Sequence, residues 1–318
     1  MMLNAVSIST KVEDMIQGRD MDGFVHSIFD NACNIQLQDN DLIGLISSTY
    51  GDNPYSISIQ LPENQTMRDL PIKQGMKIII NGERIRSVMG SFHISLQGAT
   101  SWDPSLPHQY EHLVNRTQIK NNFRTIMRVL LEKGNFQGIG PIILEYPEII
   151  ETYNFQGYKN SIVGNHYCSF ISPRIKEFVF GVIHRDRTII DNMLARIVGF
   201  GPGLTPSADD MLVGLMAALY YLASYHGIDV EVIPYFRKRL NDELINQTTL
   251  VSGQMLKAAV QGEFARSLKD LCIAMITTDD RRTIEGATQE AINLGSTSGT
   301  DTVVGLLLGA YALNQFNN

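Results

Sequence analysis

The sequence predicts an α+β protein in which a β-rich N-terminal half, barrel- or sandwich-like, precedes a mostly α-helical C-terminal half. Three observations carry this. Between Gly23 and about Leu96, short apolar alternations recur between turn signals. From about Pro173 onward, apolar residues recur at three- and four-residue spacings, the mark of helices with one buried face. The pattern changes just after Trp102-Asp103-Pro104, which places the divisions at 1–104 (β-rich), 105–172 (one helix and an irregular connection) and 173–318 (helical).

In the first part the expected strands are Phe24–Phe29, Ser56–Ile59, Met76–Ile80 and Phe92–Leu96. Turns at Gly51-Asp52-Asn53-Pro54 and Asn81-Gly82 separate them, since Gly and Asn tolerate the positive φ of tight reversals and Pro fixes its own φ. A hairpin is expected at Asn81-Gly82. Leu113, Phe123, Ile126, Met127, Leu130 and Leu131 then mark a helix that Lys133-Gly134 ends. From Asn135 to Ser172 four glycines with Pro141 and Pro147 give weak periodicity, expected to wrap the junction between the halves. Helices follow at about Pro173–Ile197, Asp209–His226, Val230–Leu244, Leu250–Val260, Phe264–Met275, Arg281–Leu294 and Asp301–Asn314.

A formal charge of −7 without like-charge blocks excludes the basic footprint of nucleic-acid binding and directs attention to small ligands or protein partners. Cys33, Cys168 and Cys272 are too scattered for a zinc site or disulfide framework and read as reduced core thiols. The start, MMLNAVSISTKVEDMI, lacks the apolar core of a secretory signal, so a cytoplasmic location is expected. The most apolar stretches, Met211–Leu222 and Val303–Leu313, fall short of the ~20 residues that span a bilayer.

The segment Gly199-Phe200-Gly201-Pro202-Gly203-Leu204-Thr205-Pro206-Ser207-Ala208-Asp209-Asp210 runs straight into an apolar helix. Alternate glycines allow tight turning and close approach to a ligand. With the Thr205 and Ser207 hydroxyls and the free amides of a helix start, they form a candidate anion site. Ser207 capping its own helix is the plainer alternative. The glycine spacing fits neither a Walker loop nor a dinucleotide fingerprint.

A degenerate repeat strengthens the case. Leu204–Tyr220 matches Gly295–Tyr311 at six of seventeen positions, pairing Ser207 with Ser298, Asp210 with Asp301 and Gly214 with Gly305. Two helices packed as a pseudo-symmetric pair, close at their glycines, would bring Ser207, Asp210, Ser298 and Asp301 to one cleft; two separate core helices with similar caps are the alternative. Gly299 belongs to the second start, and a third hydroxyl-rich start supplies Thr249 and Ser252. Together these donors suit a carbamoyl, oxamate or phosphoryl group, with Arg196 or Arg266 as candidate cations.

Asp209, Asp210 and Asp301 form a candidate Mg²⁺ set, and helix starts are expected to depress their pKa values, which argues against base catalysis. The histidines His26, His93, His166 and His184 stand isolated. Trp102 is expected as a junction anchor or a rim of the site.

The segments GFGPGLTPSADDMLVG, TTLVSGQMLKAAVQGE and GSTSGTDTVVGLLLG, with Gly23–Phe29 and Ala99–Pro104 before them, resemble the AllH/YlbF-like family over most of the chain. The family's first motif usually has glycine where this chain has Ala208. The resemblance implies a subunit of oxamate carbamoyltransferase, which with partner subunits converts oxalurate and phosphate to oxamate and carbamoyl phosphate in anaerobic allantoin and purine breakdown. On that reading Gly201, Gly203, Thr205 and Ser207 hold the anion, and Asp210 and Asp301 organise the cleft. A stand-alone Mg²⁺-dependent hydrolase and a noncatalytic ligand-binding scaffold are the alternatives.

Overall fold

A computed structural model describes residues 1–318 other than 39, 108–111, 154–161, 163, 227–231 and 316–318. The chain forms two compact units, one of residues 1–105 with 263–266, the other of residues 106–262 with 267–318.

The first unit is a closed barrel. Its strands are β1 (Met2–Ser9), β2 (Met21–Ile28), β3 (Ala32–Leu37), β4 (Leu42–Ser47), β5 (Ser56–Ile59), β6 (Lys77–Ile80), β7 (Arg84–Ser87), β8 (His93–Ser95) and β9 (Thr100–Trp102). Neighbouring strands run in the order β5-β4-β3-β2-β6-β7-β8-β1, and β1 closes the ring antiparallel to β5, with Ala5 opposite Ile59 and Ser7 opposite Ser58. Strand β9 lies parallel to the second half of β1, beyond the part that β8 covers. Alternation explains the closure: Cys33, Ile35 and Leu37 point inward from β3 and join Val25, Ile57, Ile78, Ile85 and Ile94 in one core, with Val12 and Ile16 of α1 (Thr10–Ile16).

The hairpin at Asn81 forms, but not through a positive φ. Asn81 Oδ1 instead accepts from the amides of Glu83 and Arg84, so a side chain imitates the turn. Strands β1, β3, β4 and β9 were not expected. Strand β1 carries a bulge between Ala5 and Ser7 that breaks its alternation, and β4 is buried on both faces.

Outside the core a polar cluster fastens residues 263–266 to the barrel. Ser7 and Ser58, paired across β1 and β5, both donate to Asp52 Oδ1, and Arg266 Nε donates to Oδ2 at 2.7 Å. The Arg266 guanidinium lies 4.8 Å from the Trp102 ring centre, and Lys11 pairs with the buried Glu263 at 2.6 Å. Burial would raise the Asp52 carboxyl, but the hydrogen bonds from Ser58, Ser7 and Arg266, with the arginine's charge, hold it below its ordinary value.

The second unit is helical: α2 (Arg116–Lys133), α3 (Pro147–Tyr153), α4 (His166–His184), α5 (Arg187–Ile197), α6 (Ser207–His226), α7 (Val232–Asp242), α8 (Leu250–Ala259), α9 (Arg266–Thr277, past its first residue), α10 (Arg281–Ile292) and α11 (Ser298–Gln315). The single helix expected over Pro173–Ile197 is two. Arg185 turns left-handed at φ 55°, and Asp186 starts α5 by accepting from the amides of Thr188 and Ile189. Pro173 lies inside α4 and does not begin it. The start expected at Val230 lies outside the described residues, as does much of the stretch between Tyr153 and Gly164. All three cysteines are free and buried, and burial pushes the Cys33 and Cys168 thiols up to about 12. Among the described residues no helix is long and apolar enough to cross a membrane.

Helices α6 and α11 form the centre, and α11 is buried on nearly every side from Gly299 to Leu313. They touch backbone to backbone. A Cβ on Gly214 would overlap the Thr302 carbonyl oxygen and lie 2.8 Å from the Leu306 amide; one on Gly305 would overlap the Met211 carbonyl oxygen. Residues 211 and 302, like 214 and 305, correspond in the internal repeat, so the two contacts are the same contact made twice about a local two-fold axis. Gly309 completes the seam against Ala218, its own counterpart.

Gly305→Ala should therefore lower the unfolding free energy by about 3 kcal/mol, the upper end of ordinary overpacking. Gly286→Ala on the open face of α10, where an added Cβ meets nothing within 4 Å, should raise it by about 0.5–1 kcal/mol. Urea denaturation of the two variants measures both.

Candidate functional site

The glycine run is a loop folded back on the first turn of α6. Gly199, Gly201 and Gly203 all have positive φ, at 76°, 129° and 92°. A Cβ at Gly199 would sit 2.5 Å from the Gln247 carbonyl oxygen and one at Gly201 2.6 Å from the Ser207 nitrogen, so these two glycines serve the fold of the loop. Gly203 faces open space. The first-turn amides expected to be free are engaged: Ala208 N donates to Phe200 O, and Asp209 N and Asp210 N donate to Pro206 O. Nor is Ser207 a cap of its own helix, since α6 begins at that residue.

Asp209 ties three segments together. Its carboxylate accepts from Gly199 N at 2.8 Å, from the Thr248 hydroxyl and from Ser252 Oγ at 2.6 Å. Thr249 caps α8 through the Ser252 amide and also donates to Leu204 O. The third hydroxyl-rich start thus holds the glycine loop against α6. Burial raises the Asp209 carboxyl, and the bonds from Ser252, Thr248 and Gly199 oppose the rise.

The repeat brings Ser207, Asp210, Ser298 and Asp301 together in crossed pairs. The Ser298 and Thr205 hydroxyls face Asp210, while those of Ser207 and Thr297 face Asp301, so each helix's leading serine serves the other helix's aspartate. Thr205 and Ser298 are 2.9 Å apart, oxygen to oxygen. Both aspartates are buried, and neither Asp210 Oδ2 nor either oxygen of Asp301 has a hydrogen bond of ordinary geometry. Gly299 lies elsewhere: a Cβ there would overlap the Ala291 carbonyl oxygen at the end of α10, which makes it a packing glycine.

Sequence reasoning missed the segment that closes the site. Residues 134–140, expected at the junction of the halves, pack on the start of α11. Asn135 N donates to Thr300 Oγ1 at 2.9 Å, and the Ile139 and Gly140 amides face Asp301. A Cβ on Gly138 would come 2.7 Å from Asp301 Oδ1. Asn165 fixes the segment by donating to the Phe136 and Gly138 carbonyls and capping α4 through the Cys168 amide. The glycines of this stretch and an Asn at a helix start were the available signals.

Three expectations change. The carboxyls are not depressed by their helix starts: burial raises Asp301 from 3.8 to about 7, with Ser207, Thr297 and the Gly140 and Ile139 amides opposing, and burial and then the Asp301 charge raise Asp210. Desolvation outweighs the macrodipole, worth only ~0.3–1 kcal/mol. Asp209, Asp210 and Asp301 do not form one Mg²⁺ set, because Asp209 faces Thr248 and Ser252, and no three His, Cys, Asp or Glu among the described residues could hold a metal. Of the candidate cations, Arg196 is exposed and Arg266 is bound to Asp52 in the barrel unit, where Trp102 also lies.

These shifts give a pH signature. Below about pH 4 Asp301 is protonated in both the folded and unfolded states; between 3.8 and about 7 the unfolded chain ionises first, so stability falls as pH rises and levels off above 7. Asp301→Asn removes that slope. Melting curves should show the variant gaining several degrees relative to the wild type at pH 8 compared with pH 4, and a constant difference would exclude the buried charge as the cause.

No solved structure matches this chain. Two family models do: one described as the AllH family N-terminal domain matches residues 4–101, and one described as oxamate carbamoyltransferase subunit AllH matches residues 197–310. The second spans the glycine loop, the Asp209 network and all of the crossed pairs. Covering barrel and helical core together, the two matches make this chain a member of the AllH family.

Proposed function

We propose that the chain is a subunit of an oxamate carbamoyltransferase complex of anaerobic allantoin and purine breakdown, and that it contributes the Ser207, Asp210, Ser298 and Asp301 cluster to the carbamoyl-handling site. The observation that carries this reading is the cluster itself, lying inside the segment matched as the transferase subunit and holding Asp210 Oδ2 and both Asp301 oxygens buried without a hydrogen bond of ordinary geometry. Buried acceptors of that kind are stabilised by donors. A carbamoyl or carboxamide NH₂ supplies them, while the Thr205, Ser207 and Ser298 hydroxyls suit the carbonyl, carboxylate or phosphate oxygens of oxamate, carbamoyl phosphate or phosphate.

In the reaction a phosphate oxygen bonds to the carbamoyl carbon of oxalurate, the bond from that carbon to the oxamate nitrogen breaks, and that nitrogen takes up a proton. A carboxyl whose pKa is near 7, as at Asp301, suits the transfer of that proton. Catalysis would rest on positioning and on donors aimed at developing charge, with partner subunits completing the site.

A noncatalytic scaffold is the second reading, favoured by the intrachain partners already held by the Ala208, Asp209 and Asp210 amides and by Thr249. Thermal-shift titration with carbamoyl phosphate, oxamate and phosphate separates the two. A ligand that binds only the folded state stabilises it by about 2.7 kcal/mol at a hundred times its Kd. The transferase reading expects a saturable rise with oxamate or carbamoyl phosphate that Ser207→Ala and Asp210→Ala abolish; no rise with any of the three, alone or with partner subunits present, leaves the scaffold.

A further inference from the structure

Helix α4 carries apolar side chains on both of its faces. Ile171, Ile175, Phe178 and Val182 are buried in the helical unit, while Tyr167, Phe170 and Phe180 are 49%, 62% and 50% exposed. Tyr167 and Phe170, one turn apart, leave exposed apolar surface that the fold of the unit does not need, whereas Phe180 lies farther along the helix and stacks on His184. The patch runs on to the glycine loop, because the Phe170 ring stacks on Phe200 at 5.6 Å and 14°. Arg174 lies over Phe170 with its guanidinium carbon 4.6 Å from the ring centre, and its Nη1 donates to the Phe170 carbonyl. Two residues on, Lys176 is paired with Glu145, whereas no carboxylate among the described residues pairs with Arg174.

We infer that the exposed first turns of α4 around Tyr167 and Phe170, with Phe200, dock a partner subunit of the transferase through an apolar surface that carries a carboxylate opposite Arg174. The inference rests on the reading of this chain as a subunit of a heteromeric enzyme. Aromatic residues and arginine are the types that dominate the energy of protein interfaces, and a guanidinium held over a ring is positioned for a carboxylate before the partner arrives. Since Phe200 sits between Gly199 and Gly201, a subunit seated here would contact the loop that covers Asp209 and Asp210.

The test is biolayer interferometry of the complete chain against purified partner subunits of oxamate carbamoyltransferase. Phe170→Ser and Arg174→Glu should each weaken binding a hundredfold or more with unchanged circular dichroism, and Met89→Ser, at an equally bare apolar site on the barrel, should leave it unchanged. Should Phe170→Ser fold poorly, Tyr167→Ser replaces it. Equal binding by wild type and variants overturns this docking face and leaves the subunit reading intact, whereas no binding by the wild type overturns both. A wild-type dimer in light scattering that Phe170→Ser dissolves assigns the face to a second copy of the chain and also overturns the proposal.

Discussion

The helical unit depends on one contact made twice, the meeting of Gly214 with the Thr302 carbonyl and of Gly305 with the Met211 carbonyl. Side chains larger than hydrogen at these positions would push α6 and α11 apart. Held together, the two helices start within reach of one another, and that reach allows Ser207 to serve Asp301 and Ser298 to serve Asp210. The glycine loop, the start of α8 and the 134–140 segment then close over the paired helix starts.

That closure sets the electrostatics. A helix start ordinarily favours a carboxylate through its dipole and unpaired amides, but here most of those amides have intrachain acceptors and the side chains lie out of water. Desolvation then becomes the larger effect, and two acids that face each other across a local two-fold axis cannot both ionise cheaply. At neutral pH the pair therefore keeps at least part of a proton, which makes it a donor as well as an acceptor.

How far the sequence revealed this differs between the two halves. The helical periodicities located most helices of the second unit, and the match of Leu204–Tyr220 with Gly295–Tyr311 disclosed the pair and its glycines, because a seam this tight restricts residue type at each contact. Partners could not be read from it. Nothing local shows that Ser207 looks away from its own helix, or that Asp209 and Asp210, adjacent in sequence, face different neighbours. The barrel was harder, because β4 is buried on both faces and β1 changes phase at its bulge, so neither shows the alternation that identifies a strand. Residues 134–140 gave no periodic signal, having no regular structure until Gly140.

The fastening of residues 263–266 to the barrel has a consequence for synthesis. Strands β1–β9 leave the ribosome first, yet Asp52, Ser7 and Ser58 await a guanidinium encoded more than 150 positions after β9. Until Arg266 emerges, the nascent barrel carries an uncompensated carboxylate on its flank and a bare tryptophan face at Trp102. The first domain to be made is thus among the last to be finished, and a gene cut after Ser105 encodes every strand of the barrel without the Glu263 and Arg266 that its flank pairs with.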